Sequence, residues 1–139
     1  MNKRGMFMAI LVAMAALGAR VPSAMAAEPT AEHLRQTIRD YIQWHEGKLG
    51  TFTIPDSKQI GKLRTLQLIR VHDRVGKTGD YYYSCTDMKD VASNDQLDLD
   101  FDVSDTGSAL KVVAVRIHKV NGKPRYTYDA NDNMIALNE

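Results

Sequence analysis

The chain has 139 residues, with 18 basic and 17 acidic side chains, four histidines and one cysteine. Nucleic-acid-binding proteins usually present a strongly basic surface, so this nearly balanced charge predicts no nucleic-acid partner. A single cysteine cannot form an internal disulfide, and the fold must therefore depend on burial of apolar side chains. The chain contains no nucleophile elbow, phosphate-binding glycine loop or His-Glu metalloprotease motif. We therefore expect no catalytic residues and no cofactor.

The first 26 residues have the three-part pattern of a secretory signal peptide. Lys3 and Arg4 give a positive start, residues 6–17 are almost wholly apolar, and small residues occupy positions Ala24 and Ala26. A membrane anchor is the alternative, but the apolar run is shorter than the ~20 residues that a spanning helix needs. The pattern predicts cleavage after Ala26, a periplasmic or secreted protein, and no membrane span after cleavage.

Cleavage would leave 113 residues with 15 basic and 17 acidic side chains, a net charge of −2. A chain of this length can bury one core without disulfides or metals. We predict a single α+β domain over residues 27–129, followed by a C-terminal tail over residues 130–139.

A helix is predicted over residues 31–46. Thr30 can cap its N-terminus, and Gly47 and Gly50 end the helical pattern. Apolar residues recur at helical spacing along one face: Leu34, Ile38, Tyr41 and Ile42.

After the helix, the apolar period changes from 3.6 to 2, which predicts antiparallel strands. The predicted strands cover residues 52–54, 62–72, 80–88, 97–103, 110–120 and 123–129. Apolar parity changes after Leu68, which indicates a β-bulge there, and a turn is predicted over residues 74–79. Asn121-Gly122 is a strong signal for a two-residue hairpin. The predicted fold class is α+β, with an N-terminal helix packed on a curled antiparallel sheet of four to five strands.

The hairpin also predicts how the last strands align. The expected opposite pairs are Val120–Lys123, Ile117–Tyr126, Val115–Tyr128, Phe101–Val113, Leu99–Val115 and Leu97–Ile117. These pairs turn one apolar face toward the helix, whereas a slip of one residue would invert every side chain.

The other face of the sheet carries an acidic row with basic neighbours, and these are the candidate site residues: Asp98, Asp100, Asp102, Arg116 and His118. The predicted register places Asp98 opposite Arg116. The aspartates would lie ~6–7 Å apart along one strand, and their repulsion calls for counter-charges. The hypothesis is a patch that binds a polyvalent cation or a cationic partner; the alternative is a solvated face of mixed charge.

The strand over residues 80–88 also contributes to the two faces of the sheet. If Tyr81, Tyr83 and Cys85 point inward, then Tyr82, Ser84 and Thr86 join the acidic face. The thiol is then expected to be a small buried side chain, with a reactive or intermolecular thiol as the alternative.

The histidines do not form an evident ligand set. His33 and His45 lie 12 residues apart on the helix, whereas His72 and His118 lie on strands. Two histidines without a third ligand make a poor zinc site, so the sequence predicts no metal site.

The order of a capped helix followed by antiparallel strands resembles the cystatin-like folds. The inhibitory hairpin of cystatins needs a glutamine followed by valine and glycine at set spacing, and residues 67–71 (Gln-Leu-Ile-Arg-Val) depart from that. The resemblance therefore implies a fold and not protease inhibition. Residues 79–83, 97–103 and 117–123 are also similar to segments of small exported bacterial proteins of uncharacterised function.

The function predicted from these observations is that of a non-enzymatic binding or accessory protein of the cell envelope. Its partner would be a protein or small ligand, received on the charged sheet face or in a cleft between helix and sheet. Two alternatives remain open. One is a small hydrolase or isomerase that uses His72, His118 or an aspartate in a curled-sheet pocket; the other is a structural subunit of an envelope assembly, with Cys85 or an edge strand at the contact.

Overall fold

The computed structural model describes residues 27–137, so the predicted signal peptide and its cleavage site at Ala26 lie outside the described residues. The elements are α1 (Ala31–Leu49), β1 (Phe52–Pro55), β2 (Leu63–Thr78), β3 (Tyr81–Asp90), β4 (Gln96–Asp105), β5 (Leu110–Val120), β6 (Lys123–Pro124), β7 (Tyr126–Tyr128) and β8 (Met134–Ala136). Strands β1 to β6 form one antiparallel sheet in chain order, while β7 and β8 form a separate two-stranded sheet. The α+β class is confirmed, with six strands in the main sheet instead of four to five. Among the described residues α1 is the only helix, and none there is both long and apolar enough to cross a membrane.

Helix α1 begins and ends where its capping residues predict. The Thr30 side chain accepts a 3.1 Å hydrogen bond from the backbone N–H of His33. At the other end, Gly50 adopts a positive φ of 77°, and its N–H donates to the carbonyl of Glu46. The predicted helix is thus confirmed and continues three residues further, to Leu49.

One apolar core fills the space between the helix and the main sheet. The helix contributes Leu34, Ile38 and Ile42, which are all buried. The sheet contributes Phe52, Leu66, Met88, Leu97, Leu99, Phe101, Val103 and Ile117. The predicted apolar face of the strand over residues 97–103 is therefore confirmed. Burial of each large apolar side chain contributes roughly 1.5–3 kcal/mol, which replaces the missing disulfide as the source of stability.

Strand β2 is long and twice irregular. The pairing with β3 shifts between Leu68 and Arg70, which confirms the predicted bulge, and shifts again between Val71 and Val75. The predicted turn over residues 74–79 is wrong, because the strand continues to Thr78 before the chain reverses. Irregularities of this kind bend a strand, and the second one lets β2 curl where the sequence suggests a break.

The pairing of β4 with β5 differs from the prediction by about two residues. The observed opposite pairs are Leu97–Val120, Leu99–Ile117 and Phe101–Val115. The expected partners Val113, Val115 and Ile117 are therefore wrong. Val115 and Ile117 still turn toward the core, but Val113 is 51% exposed and Val112 packs against the core instead. Over Leu99 and Phe101 the shift is two residues, which preserves the alternation, so the hydrophobic pattern does not distinguish the two registers there. The pairing is also irregular between Asp98 and Leu99 and between Asp102 and Val103, which the sequence pattern did not predict.

The last strands leave the main sheet. Val120 opposes Lys123 as predicted, but β6 ends at Pro124. A proline has no N–H to donate to a ladder, which favours an end to pairing here. Strand β7 then pairs with β8, which lies within the segment predicted as a tail. The expected pairs of Tyr126 and Tyr128 with core-facing residues are therefore wrong.

The inward and outward faces of β3 are the reverse of the prediction. Ser84 and Thr86 are buried on the same side as Met88 in the core, so Cys85 lies on the opposite face. The Ser84 hydroxyl donates a 2.9 Å hydrogen bond to the carbonyl of Arg74, which satisfies a polar group in the interior. A run of three tyrosines has no alternation of its own, so the parity of this strand depends on its partners.

Candidate metal-binding site

The acidic row of β4 is buried and does not face solvent. Asp98 and Asp102 are each 8% exposed and Asp100 is fully buried. Two tyrosines of β7 lie on this face and bond to the row, so the predicted solvent-facing acidic surface is wrong. An ionised carboxylate that is taken out of water needs partners, and these partners define the site.

Asp100 accepts hydrogen bonds at both of its oxygens. Its Oδ1 receives the thiol of Cys85, which is its cross-strand neighbour, at 2.7 Å. Its Oδ2 receives the hydroxyls of Tyr126 at 2.7 Å and Tyr128 at 2.6 Å. Three donors from two other strands therefore hold this carboxylate in one orientation.

Asp102 and Arg116 form a separate pair. The guanidinium of Arg116 donates two hydrogen bonds to the two Asp102 oxygens, one of them 2.7 Å long. These hydrogen bonds to the carboxylate of Asp102 raise the pKa of Arg116 above its ordinary range. The predicted pairing of Asp98 with Arg116 is wrong, because Arg116 opposes Asp100 and Lys119 opposes Asp98. Two of the five predicted site residues thus neutralise each other beside the site.

The His118 ring has a defined orientation. Its Nε2 lies 3.1 Å from the carbonyl oxygen of Tyr126, and the ring stacks on that tyrosine at 4.8 Å. A carbonyl only accepts hydrogen bonds, so Nε2 carries the proton and Nδ1 of the neutral ring presents a lone pair. Nδ1 lies 3.8 Å from Oδ2 of Asp98, 3.8 Å from Oδ2 of Asp100 and 4.0 Å from the sulfur of Cys85.

These four side chains make up the Cys85 cluster: Cys85, Asp98, Asp100 and His118. One ligand atom from each lies within 4.8 Å of all the others. A tetrahedral zinc ion with the usual bond lengths would hold such atoms about 3.3–3.6 Å apart. Only a small rearrangement therefore separates the cluster from a complete coordination sphere.

One polar atom of the cluster is unsatisfied. Oδ1 of Asp98 is buried and has no hydrogen-bond partner among the described residues. A buried acceptor without a donor costs free energy, which is about 1–3 kcal/mol for a typical polar group. Lys119 reaches only the other oxygen, Oδ2, at 3.3 Å.

The thiol of Cys85 carries a proton that a bound metal ion would displace. Burial, with the charge and hydrogen bond of Asp100, raises the pKa of Cys85 well above its ordinary value. The metal-free site therefore keeps a thiol proton on the bond to Asp100. A divalent ion competes with that proton, and its binding releases it.

A second group of possible ligands shares Asp98 with the Cys85 cluster. It is the His72 group: His72, Asp87 and Asp98, whose ligand atoms also lie within 4.8 Å of one another. His72 Nε2 lies 2.8 Å from Oδ1 of Asp87, and Arg70 donates to Oδ2 of Asp87 at 2.8 Å. Burial would raise the pKa of Asp87, but the hydrogen bonds from Arg70 and His72 lower it overall. The three ligands line a surface cavity of about 360 Å³ together with Lys119.

Sequence reasoning placed Asp98, Asp100 and His118 together and named His72 as a possible catalytic residue, but it missed Cys85 and Asp87 as members of these groups. The signal that would find both is the pairing of β3 with β4, in which Cys85 opposes Asp100 and Asp87 opposes Asp98. The inward assignment of Cys85 hid that pattern.

Comparisons with family models, curated proteins and solved structures found no match to the chain. A function for this protein must therefore be argued from the geometry of the Cys85 cluster.

Proposed function

We propose that this protein is a small exported binding protein whose ligand is a divalent transition-metal ion of the zinc type, held by the Cys85 cluster. The observation that carries the proposal is the convergence of a thiol, an imidazole Nδ1 and two carboxylates from three neighbouring strands. Such a set of one sulfur, one nitrogen and two oxygen ligands matches the four-coordinate sites of Zn²⁺.

The ligand types narrow the choice of ion. Calcium and magnesium prefer oxygen ligands throughout, and neither favours a thiolate. Thiolate and imidazole ligands favour Zn²⁺ and its neighbours in the first transition row, such as Co²⁺. The polyvalent cation of the sequence hypothesis is therefore better interpreted as a transition metal than as calcium.

Neighbouring groups support the same interpretation, because two of the four possible ligands, His118 and Asp100, have orienting partners outside the cluster. The carbonyl of Tyr126 fixes the ring of His118 with Nδ1 toward the cluster. The hydroxyls of Tyr126 and Tyr128 both donate hydrogen bonds to Oδ2 of Asp100 and so orient this carboxylate. Replacement of the thiol proton by a metal would leave Oδ1 of Asp100 for the ion. Partners of this kind around a metal site typically change affinity by 10–100-fold.

Cobalt provides the direct test, because a cobalt–thiolate bond gives a charge-transfer absorption band. We expect the purified, metal-stripped protein to bind Co²⁺ with this band, and Zn²⁺ to displace it. Cys85→Ser should abolish the band, and His118→Ala should weaken binding by more than the 10–100-fold that is typical of an orienting partner. His33→Ala is the matched control, because that histidine is exposed on α1. Absence of a thiolate band at millimolar Co²⁺ in the folded protein would refute the proposal.

Export is proposed from the pattern of the first 26 residues, and the resemblance to cystatin-like folds is proposed from the order of a helix followed by antiparallel strands. Both proposals are compatible with a binding domain that meets its ion outside the cytoplasm. N-terminal sequencing of the protein recovered after expression of the full chain should begin at Ala27. A product that retains Met1 would contradict export by this route.

A further inference from the structure

Asp98 occupies a central position between two sets of ligands. On one side, its Oδ2 faces Nδ1 of His118 in the Cys85 cluster at 3.8 Å. On the other side, an Asp98 oxygen lies within 4.8 Å of ligand atoms on His72 and Asp87. The strand pairing explains this position, because Asp98 lies directly opposite Asp87 on β3.

We infer that Asp98 bridges two metal ions, one held by the Cys85 cluster and the other by the His72 group; this inference rests on the proposed function. A bridging carboxylate gives one oxygen to each ion. In Asp98, Oδ2 is engaged on the side of His118 and Lys119, whereas Oδ1 is buried without a hydrogen-bond partner among the described residues. We assign this unpartnered, buried oxygen to the ion of the His72 group.

The distances fit an ion on the His72 side. His72 Nε2 and Asp87 Oδ1 lie 2.8 Å apart, whereas two such ligands of one tetrahedral zinc ion lie about 3.3 Å apart. Entry of an ion therefore requires only a small separation of these side chains. The main competitor for Asp87 is Arg70, whose side chain is 67% exposed and whose ion pair is correspondingly weak.

The two ions would differ in their access to solvent. The Cys85 cluster supplies four protein ligands and lies beneath the tyrosines of β7. The His72 group supplies three ligands and opens onto a cavity of about 360 Å³. Three protein ligands leave a coordination position for water or for an anion, which is the arrangement of sites that bind or act on a substrate. In two-metal sites the ions usually lie ~3.5–4 Å apart.

The test is the number of ions bound, measured by elemental analysis after Co²⁺ loading and gel filtration of the purified protein. We expect two ions per chain in the wild type and magnetic coupling between them in the electron paramagnetic resonance spectrum. His72→Ala should lose one ion and keep the cobalt–thiolate band. Asp98→Asn should lose the coupling and more than one equivalent, because both ions share that ligand. Asp73→Asn, an exposed acid on the same strand as His72, is the matched control and should bind two ions.

The outcomes separate this inference from the proposed function. One ion per chain with the thiolate band intact would overturn the binuclear site and leave the Cys85 cluster as a single metal site. Two ions of which Asp98→Asn loses only one would overturn the bridge. No bound ion at all would overturn both. Far-ultraviolet circular dichroism of each variant shows whether a lost ion reflects a lost ligand or a lost fold.

Discussion

The hydroxyl of Tyr128 donates a 2.6 Å hydrogen bond to Oδ2 of Asp100, which joins two residues 28 positions apart in the chain. Tyr126 donates to the same oxygen at 2.7 Å. Both tyrosines belong to β7, which shares no ladder with the main sheet. A buried carboxylate therefore contributes to holding the C-terminal strands over the face that carries the Cys85 cluster.

We expect Tyr128→Phe to lower the free energy of unfolding by about 1.5–3 kcal/mol in metal-free protein. The variant keeps the aromatic ring but removes one of the donors to a charged acceptor, and hydrogen bonds of this class have that magnitude. Urea denaturation measures the change. Tyr81→Phe is the control, because Tyr81 is exposed and should change stability by less than about 0.5 kcal/mol. Equal effects of the two substitutions would show that the contact with Asp100 contributes nothing.

The ring of Tyr83 lies so close to Gly76 that it leaves no space for a side chain at this position. A Cβ at this position would lie 2.4 Å from Cε1 of that ring, well inside van der Waals contact. The ring cannot yield easily, because it stacks on Tyr128 at 4.5 Å and its hydroxyl donates to Asp132 at 2.9 Å. We expect Gly76→Ala to destabilise the protein by about 1–3 kcal/mol in thermal or urea unfolding.

The matched control for this clash is Gly47→Ala in helix α1, where an added Cβ meets nothing within 4 Å. That substitution should stabilise the protein by about 0.4–1 kcal/mol, because it reduces the freedom of the unfolded chain. Gly76→Ala should also cost less in a Tyr83→Ala background, which removes the ring. An unchanged cost in that background would rule out the clash as the cause.

Arg64 is the centre of a buried ionic network. It is 1% exposed and donates to Asp56 at 2.9 Å, to Asp90 at 3.1 Å and to Asp95 at 2.5 Å. We expect Arg64→Met to destabilise the protein by about 3–5 kcal/mol, because it leaves the buried carboxylate of Asp90 without its cation and removes one of the two arginines that bond Asp56. Denaturant unfolding measures this.

The control for the network is Arg39→Met on the surface of α1, where Arg39 pairs with the exposed Glu32. Surface ion pairs contribute about 0–1 kcal/mol, so this variant should remain close to the wild type. A loss of similar size in both variants would mean that the burial of Arg64 has no energetic consequence.

The same network predicts how stability depends on acid. Burial alone would raise the pKa of Asp56, but hydrogen bonds from Arg125 and Arg64 outweigh it and hold that pKa below its ordinary range. Hydrogen bonds from Arg64, Asn121 and a nearby serine lower the pKa of Asp95 to about 2. A depressed carboxyl pKa contributes stability that is present above about pH 4, the unfolded value, and is lost as the pH falls toward about 2.

We therefore expect the free energy of unfolding to fall steeply between about pH 4 and pH 2 in the wild type. The decline should be shallower in Arg64→Met, because its carboxylates have lost the cation that lowers their pKa values. Urea unfolding at a series of pH values compares the two slopes. Parallel curves would contradict a role for Arg64 in the acid response.

Local patterns determined the helix and the core. The bounds of α1 depend on Thr30 and Gly50, and both act on backbone groups within four residues of themselves. The inward face of β4 depends on strict alternation over residues 97–103. These features were predictable because the physical cause and its effect lie within one short segment of the chain.

The composition of the site was only partly predictable. Asp98, Asp100 and His118 were placed on one face from the alternation of their own strands. Cys85 was not, because the parity of β3 is set by its neighbours across the sheet and not by its own residues. The position of Tyr126 and Tyr128 over this face was missed as well, because the chain leaves the main sheet after Pro124 and β7 pairs with β8.

The sequence by itself therefore determined an α+β domain, its helix and the inward face of its clearest strand, because backbone capping and alternation act over a few residues. Only the tertiary structure decided the register of β4 on β5 and the burial of Asp100. The register of β4 on β5 shifts at two irregularities that depend on both strands, and a buried carboxylate is stabilised by donors up to 28 residues away. Neither effect can be predicted from the pattern of neighbouring residues in the chain.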